Sequence, residues 1–215
     1  MSSLILLLGG KGTRFGGKKQ FLTYKGRFLF EYLLEQVSDL FEETILVVPQ
    51  EDMDTFRRNF PNYKVVSGGN ERQFSVYNGL KLVSQPVVVV HDGARPFASR
   101  KLFEKLITPF PCDGKIPIIP VRDTVKKVSP EGKVLKTLSR KDLFAVQTPQ
   151  VFKTEILKEC HERALKDNFL GTDDASLLER YGYTVCTTKG EILNFKITYP
   201  EDWELARCLL EKSKI

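Results

Sequence analysis

Short runs of consecutive apolar residues alternate along the chain with stretches whose apolar positions recur every three or four residues. Leu4–Leu8, Thr44–Val48, Tyr63–Val66, Pro86–Val90 and Ile116–Val121 have the length and the apolar character of strands buried on both faces. Between them the pattern is helical. Phe28–Val37 places Phe30, Leu33, Leu34 and Val37 on one face, and Glu51–Asn59, Glu71–Leu82 and Ser99–Ile107 read the same way. Further on, Lys153–Lys166 and Asp173–Tyr181 are expected to be helices, the second with Thr172 as its N-cap. Tyr183–Thr187 and Leu193–Ile197 read as late strands, and Pro200–Glu211 as a closing helix with proline in its first turn. This alternation predicts an α/β fold, a mostly parallel sheet with helices on both faces. Ligands bind such sheets at the carboxyl ends of the strands. Functional residues are therefore expected just after Leu8, Val66, Val90, Val121 and Ile197.

One stretch breaks the alternation. Around the turn Pro130-Glu131-Gly132, the segment Asp123–Lys136 alternates with period two, which predicts a β-hairpin. A hairpin inserted in a parallel-sheet domain can be an arm or an ordinary surface excursion. No internal repeat, low-complexity tract or linker divides the chain, so a single domain over residues 1–215 is expected, with the hairpin over about 123–140.

Composition narrows the class. The 215 residues carry 33 Lys+Arg against 27 Asp+Glu, a net charge of +6, and 41% of them are hydrophobic. That excludes a disordered chain. No apolar run approaches the roughly 18 residues of a spanning helix, and Leu4–Leu8 is too short for the core of a signal peptide. A cytoplasmic protein without membrane contact is expected. The four cysteines are far apart in sequence, with no Cys-x-x-Cys and no neighbouring histidine, so they are expected to be reduced and not to bind zinc. The basic pairs Lys18-Lys19 and Lys126-Lys127 are scattered and not interleaved with aromatics, which argues against a nucleic-acid partner. A small anionic ligand in one cleft accounts for the charge more simply.

Four segments carry candidate chemistry. The first strand empties into Gly9-Gly10-Lys11-Gly12-Thr13-Arg14-Phe15-Gly16-Gly17-Lys18-Lys19. Glycines let backbone N–H groups approach phosphate oxygens, and the cations neutralise them. Gly12–Lys18 fits G-x-x-x-x-G-K, but Lys19 stands where a P-loop needs a hydroxyl, and Gln20–Gly26 reads as extended chain and a turn. After Val90, His91-Asp92-Gly93-Ala94-Arg95-Pro96 offers a carboxylate for Mg²⁺ and a guanidinium for phosphate, or alternatively an internal ion pair. His91 reads as structural. Ser67-Gly68-Gly69-Asn70-Glu71-Arg72-Gln73-Phe74-Ser75 turns from a strand into a helix, whose first N–H groups suit an anion or a base edge, or need only a cap. In Asn194–Asp202, Lys196 lies in an apolar strand pattern and must be paired, functional or turned to water.

Taken in order, these segments resemble the 2-C-methyl-D-erythritol 4-phosphate cytidylyltransferases of the non-mevalonate isoprenoid pathway. Gly9–Gly16 resembles the family's A-G-x-G-x-R-M/F-G loop, Lys19–Leu22 its P-K-Q-F/Y-L, and Gly68–Val76 its G-G-x-x-R-x-x-S-V. His91–Pro96 matches H-D-x-A-R-P, Val121–Thr124 the run before the arm, and Thr148–Gln150 the T-P-Q. Thr172–Ser176 matches T-D-E/D-A-S, and Lys196–Asp202 the closing K-V/I-T-x-P-E-D. The chain departs from the pattern at Gly9 for alanine, at Lys18 for proline, and in a shorter loop between Arg14 and Lys19.

The resemblance implies a Rossmann-like, mostly parallel sheet of the nucleotide-diphospho-sugar transferase type, with a protruding β-hairpin arm. It implies transfer of CMP from CTP to methylerythritol phosphate, with Mg²⁺ or another hard divalent cation held by Asp92. Arg14 and Lys19 would stabilise the α-phosphate, and Lys196 would bridge it to the incoming phosphate. Gly9, Gly10, Gly12, Gly69, Asn70 and Ser75 would hold the nucleotide. Arg95, Thr124, Arg140, Thr148, Thr172 and Thr198 would meet the acceptor. The arm, around Val125–Leu138, would clasp a second subunit and make a homodimer. A ribitol-5-phosphate cytidylyltransferase is the nearest alternative and a P-loop phosphotransferase a more distant one. A non-enzymatic nucleotide- or RNA-binding module would have no use for the metal carboxylate.

Overall fold

The computed structural model describes residues 1–10, 15–18 and 21–212. The core of the fold is a central sheet, and its first four strands follow apolar runs read from the sequence. β1 (Ser2–Leu7), β4 (Glu43–Val48), β5 (Lys64–Ser67) and β6 (Val87–Asp92) run parallel, with β1 between β4 and β6 and with β5 outside β4. Two-residue strands β2 (Thr23–Tyr24) and β3 (Arg27–Phe28) form a separate small hairpin between β1 and β4 in the chain. β7 (Gly114–Pro120) extends the central sheet on the far side of β6, through one antiparallel strand, β11 (Gln150–Lys153), which pairs with both. β10 (Phe144–Val146) pairs antiparallel with β7, and β12 (Val185–Lys189) pairs parallel with it. Among the described residues eight strands join in this sheet. The sheet is mostly parallel, as expected.

Alternate residues of β1, with Leu8 just after it, explain the apolar run Leu4–Leu8. Leu4, Leu6 and Leu8 face one core, with Phe30, Leu33 and Leu34 of α1 (Leu29–Val37), Phe56 of α2 (Met53–Asn59), and Leu102, Phe103 and Leu106 of α4 (Arg100–Ile107). Ile5 and Leu7 face the other, with Val76 and Leu80 of α3 (Arg72–Leu80), Leu157 and Cys160 of α5 (Thr154–Lys166), and Leu177 and Leu178 of α6 (Asp174–Arg180). Each such side chain contributes roughly 1.5–3 kcal/mol by leaving water. The C-terminal α7 (Pro200–Lys212) buries Ala206 and Leu210 against Leu29 and Ile197.

Several expectations need correction. α6 is capped by Asp173, whose Oδ1 accepts from the Ser176 N–H at 2.9 Å, and not by Thr172; the helix begins one residue later than expected. Leu193–Ile197 is not a strand. Asn194 there is fully buried, and the backbone groups around it are taken by side chains, so they are not free for a ladder. The cysteines are far apart in sequence but not all reduced. Cys112, just before β7, and Cys186, on β12, form a disulfide 74 residues apart in sequence, because the pairing of β12 with β7 brings them together. The P-loop alternative fails locally, since Phe15–Lys18 forms a turn and the chain runs on from Phe21 into β2 with no α-helix among the described residues there. The period-two segment pairs as expected: β8 (Lys126–Val128) runs antiparallel to β9 (Val134–Thr137), outside the main sheet and exposed at every position.

Candidate active site

The carboxyl ends of β1, β4, β5 and β6 open on one side of the sheet. Two adjacent cavities lie there, and Arg72 lines both. The first, about 390 Å³, is bounded by Gly9 and Gly10 after β1, Pro49 after β4, and Gly68, Gly69, Asn70 and Ser75 between β5 and α3. Its wall is set by a close approach. The Ser75 Oγ accepts from the Gly69 N–H at 3.0 Å and donates to the Glu71 carbonyl at 3.2 Å. A Cβ at Gly69 would stand 2.4 Å from the Phe74 Cβ, so only glycine permits this turn. Lys18 also lines this cavity and is ion-paired with Asp52 at 2.9 Å and Glu51 at 3.0 Å.

The second cavity, about 440 Å³, is lined by Asp92, Arg95, Thr148, Thr172 and Lys196, which the sequence had singled out, and by Arg72, Gln147, Gln150 and Asp173. Both oxygens of Asp92 are engaged. Arg72 Nε donates to Oδ1 at 3.1 Å, and Lys196 Nζ donates to Oδ2 at 2.7 Å. Arg72 Nη1 also donates to Asp174 Oδ2 at 2.7 Å, and Asp174 lies 3.5 Å from the ring of His161. Burial pulls the Asp92 carboxyl upward, but the Arg72 and Lys196 cations outweigh it and hold it well below the usual carboxylate range. Asp174 is likewise held low, its burial outweighed chiefly by Arg72. Burial lowers Arg95, whose Nη1 donates to the Asn194 carbonyl at 2.8 Å. The Arg72 Nη2 and Arg95 Nε atoms are buried without a hydrogen-bond partner among the described residues, two N–H donors available to an anion.

His91 is structural, as read. Burial pushes it down to about 4, so it is neutral. The Asp92 N–H donates to Thr148 Oγ1, whose hydroxyl then donates to His91 Nδ1 at 3.1 Å, leaving Nε2–H to donate to the Arg95 carbonyl at 3.0 Å. The ring thus orients the loop that carries both Asp92 and Arg95.

Gly9, Gly10, Gly69, Asn70 and Ser75 meet at the first cavity, and Asp92, Arg95, Thr148, Thr172 and Lys196 at the second. Thr124, Arg140 and Thr198 line neither. Thr124 and Arg140 are exposed at the base of the hairpin, where Arg140 Nη1 donates to the Arg122 carbonyl, and Thr198 Oγ1 donates to the Lys196 carbonyl at 3.1 Å. Gly12, Arg14 and Lys19 lie outside the described residues. Lys196 is paired, not turned to water, and it sits in irregular chain.

The sequence reading gave Arg72, Asp174, Gln147 and Asn194 no role. Arg72 could have been found, because a cation in the first turn of a helix opposes the helix dipole and calls for a carboxylate partner. Gln147 and Asn194 gave no such signal. They meet only in the folded chain.

Paired cations around one buried carboxylate, beside a glycine-walled cleft at the carboxyl ends of parallel strands, define a nucleotide-binding α/β enzyme that handles phosphates. A family profile described as 2-C-methyl-D-erythritol 4-phosphate cytidylyltransferase matches residues 3–212. A protein of that name from Aquifex aeolicus is 48% identical over 210 residues, covering 98% of each chain. One from Dictyoglomus thermophilum is 40% identical over 225 residues, covering 98% of this chain and 97% of its own. The crystal structure of 2-C-methyl-D-erythritol 4-phosphate cytidylyltransferase from Thermus thermophilus superposes with a TM-score of 0.83 at 33% identity, covering 96% of this chain and 98% of that one. The 4-diphosphocytidyl-2C-methyl-D-erythritol synthase from Anaerococcus prevotii gives 0.86 at 32%, covering 98% and 96%. The chain belongs to the 2-C-methyl-D-erythritol 4-phosphate cytidylyltransferase family and is a nucleotidyltransferase.

Proposed function

We propose that this chain transfers CMP from CTP to 2-C-methyl-D-erythritol 4-phosphate by in-line attack of the acceptor phosphate on the α-phosphorus of CTP. A new P–O bond forms to the α-phosphorus as the α–β bridging bond breaks, and pyrophosphate leaves with its charge. The products are 4-diphosphocytidyl-2-C-methyl-D-erythritol and pyrophosphate, in isoprenoid precursor biosynthesis by the non-mevalonate route. The attacking group is a phosphate monoester with its second pKa near 6, already mostly dianionic at neutral pH. No general base is needed, and the protein's task is to align two anions and stabilise the charge between them.

The observation that carries this reading is the cluster of Arg72, Asp92 and Lys196 where the two cavities meet. The first cavity takes the nucleotide, with Gly9, Gly10, Gly69, Asn70 and Ser75 around the base and ribose and Gly12 in the same loop. The second takes the acceptor, with its phosphate near Arg95, Thr148 and Thr172. Lys196 bridges the reacting phosphates, and Arg14 and Lys19 are the further cations proposed to stabilise the α-phosphate. Asp92 is the metal candidate. Among the described residues no three metal-ligating side chains cluster. A magnesium ion carried by a triphosphate needs only one or two protein carboxylates, and Asp92 is held ionised, so the site fits such an ion. When bound, it would draw negative charge off the triphosphate.

The hairpin is the proposed dimer arm. Thr124, Arg140 and Thr198 complete the acceptor site, Thr124 and Arg140 reaching across from the neighbouring subunit. Among the described residues no helix is long and apolar enough to cross a membrane, and the proposed place of action is the cytoplasm. The test is pyrophosphate release from CTP and Mg²⁺ with each acceptor separately. Release with methylerythritol 4-phosphate and not with ribitol 5-phosphate is expected. Release with ribitol 5-phosphate alone, or with neither, would overturn the acceptor assignment.

A further inference from the structure

Residues 190–199 form no helix or strand, yet they carry Lys196 to Asp92. Irregular chain does not hold a side chain in place without outside support. Much of that support comes from one buried carboxamide, beside the Ala94 carbonyl, which accepts from the Ile197 N–H at 2.8 Å. Gln147 Nε2 donates to the Glu191 carbonyl at 2.8 Å and to the Asn194 carbonyl at 3.1 Å. Its Oε1 accepts from the Glu191 N–H at 3.1 Å and from Asn194 Nδ2 at 3.4 Å. Asn194 Nδ2 also donates to the Thr148 carbonyl at 2.8 Å, and the Asn194 carbonyl takes the Arg95 guanidinium. Gln147 and Asn194 are both buried. The approach is close enough that a Cβ at Gly190 would stand 2.5 Å from Gln147 Oε1.

Gln147 is itself held firmly. It lies between β10 and β11, where the four residues between Val146 and Val151 stand opposite only the two of β7 between Ile118 and Lys115, and its N–H donates to the Pro117 carbonyl at 2.9 Å. The bulge turns its side chain toward the loop.

We infer that Gln147 is a positioning residue for Lys196: its carboxamide fixes the irregular loop and so sets where the lysine ammonium lies relative to the reacting phosphates. The inference rests on the proposed role of Lys196. Gln147 also lines the acceptor cavity, but its carboxamide spends both N–H groups and its oxygen on the loop, which leaves it no hydrogen bond for a substrate. The nucleotide cavity, bounded by Gly9, Gly69, Asn70 and Ser75, does not include the loop, so binding of CTP should be spared.

The experiment is a double-mutant cycle on pyrophosphate release, with Gln147→Met, Lys196→Ala and the combination, each checked for cooperative thermal unfolding. Gln147→Met is expected to lower kcat at least tenfold with the KM for CTP within threefold of wild type. The double variant should be no slower than about threefold below Lys196→Ala alone, because the two residues act as one unit. Losses that simply multiply, or a wild-type kcat in Gln147→Met, would overturn the inference. Should Gln147→Met not fold, Gln147→Glu keeps the shape and the acceptor, removes the two donors, and is held to the same criteria. A wild-type kcat in Lys196→Ala would instead remove the lysine's role, and with it the ground for the link.

Discussion

Arg72 faces two buried carboxylates, Asp92 and Asp174, and ion-pairs with both. Its replacement leaves two negative charges close together, with Lys196 as the remaining cation on Asp92 and His161 beside Asp174. Breaking a buried ion pair by removing one partner costs about 3–5 kcal/mol, a large share of the 5–15 typical of a folded protein. Arg72→Met should therefore lower the urea-unfolding free energy by about that amount, and Asp174→Asn in the same background should recover part of it. A loss under about 1 kcal/mol would mean that water compensates the carboxylates. His91 makes a prediction in pH. The unfolded chain binds its proton near the ordinary 6.5 and the folded chain only near 4, because the ring is buried. Folding is thus favoured above about pH 6.5, and this contribution fades as pH falls toward 4, by about 2 kcal/mol at pH 5. Urea melts of the wild type at pH 7 and 5 should differ by that amount, and those of His91→Gln should not. Glu43 does not confuse the window. Burial works to raise its carboxyl, the Lys64 and Ser3 hydrogen bonds overcome this and hold it at about 2, and its contribution fades only below about 4.5.

At the level of elements, the turn from β5 into α3 shows how tightly the nucleotide cleft is built. Gly69→Ala places a methyl group within the contact distance of Phe74 and forces the first turn of α3, which carries Phe74 and Ser75, away from residue 69. The expected result is a rise of tenfold or more in the KM for CTP with less change in kcat; an unchanged KM would show that the turn relaxes freely. The same segment shows what sequence can carry. β1, β4 and β6 were legible because a strand covered on both faces must be apolar at most positions, and Val87–Val90 is; β5, half-buried at the sheet edge, was read from Tyr63, Val65 and Val66. The glycines after β1 and β5, with Asp92 and Arg95 after β6, were legible because the strand ends say where to look. β10 and β11 were not. β10 is exposed along its length, and β11 offers only Val151 and Phe152 as apolar signal. Leu193–Ile197 misled in the opposite direction. Its apolar residues pattern as a strand, but the backbone bonds that a ladder would use go to Gln147, Arg95 and Ala94. Those partners lie far away in sequence, so no local pattern reports them.

For the whole molecule the outstanding feature is the hairpin. β8 and β9 stand outside the main sheet, and Val128, Val134 and Leu135 on them are about half exposed or more, as are Phe144 and Val146 on β10 nearly so. An isolated two-stranded hairpin is marginal in water, and its exposed apolar residues gain stability only from a covering surface. In the dimer proposed above, that surface is a second copy of the chain, and the hairpin base carries Thr124 and Arg140 toward the neighbour's acceptor cavity. Monomer and dimer should then differ in acceptor binding more than in nucleotide binding. The triple change Val128→Lys, Val134→Lys and Leu135→Lys keeps the Pro130-Glu131-Gly132 turn but makes both strands repel the apolar partner. The wild type is expected to run as a dimer in light scattering and the variant as a monomer. The variant should show a KM for the acceptor raised at least tenfold, a KM for CTP within threefold, and unchanged cooperative unfolding of the main sheet. A monomeric wild type would end the arm proposal. A monomeric variant with an unchanged acceptor KM would keep the dimer but show that each acceptor cavity is complete within one chain, which would place Thr124 and Arg140 outside the site.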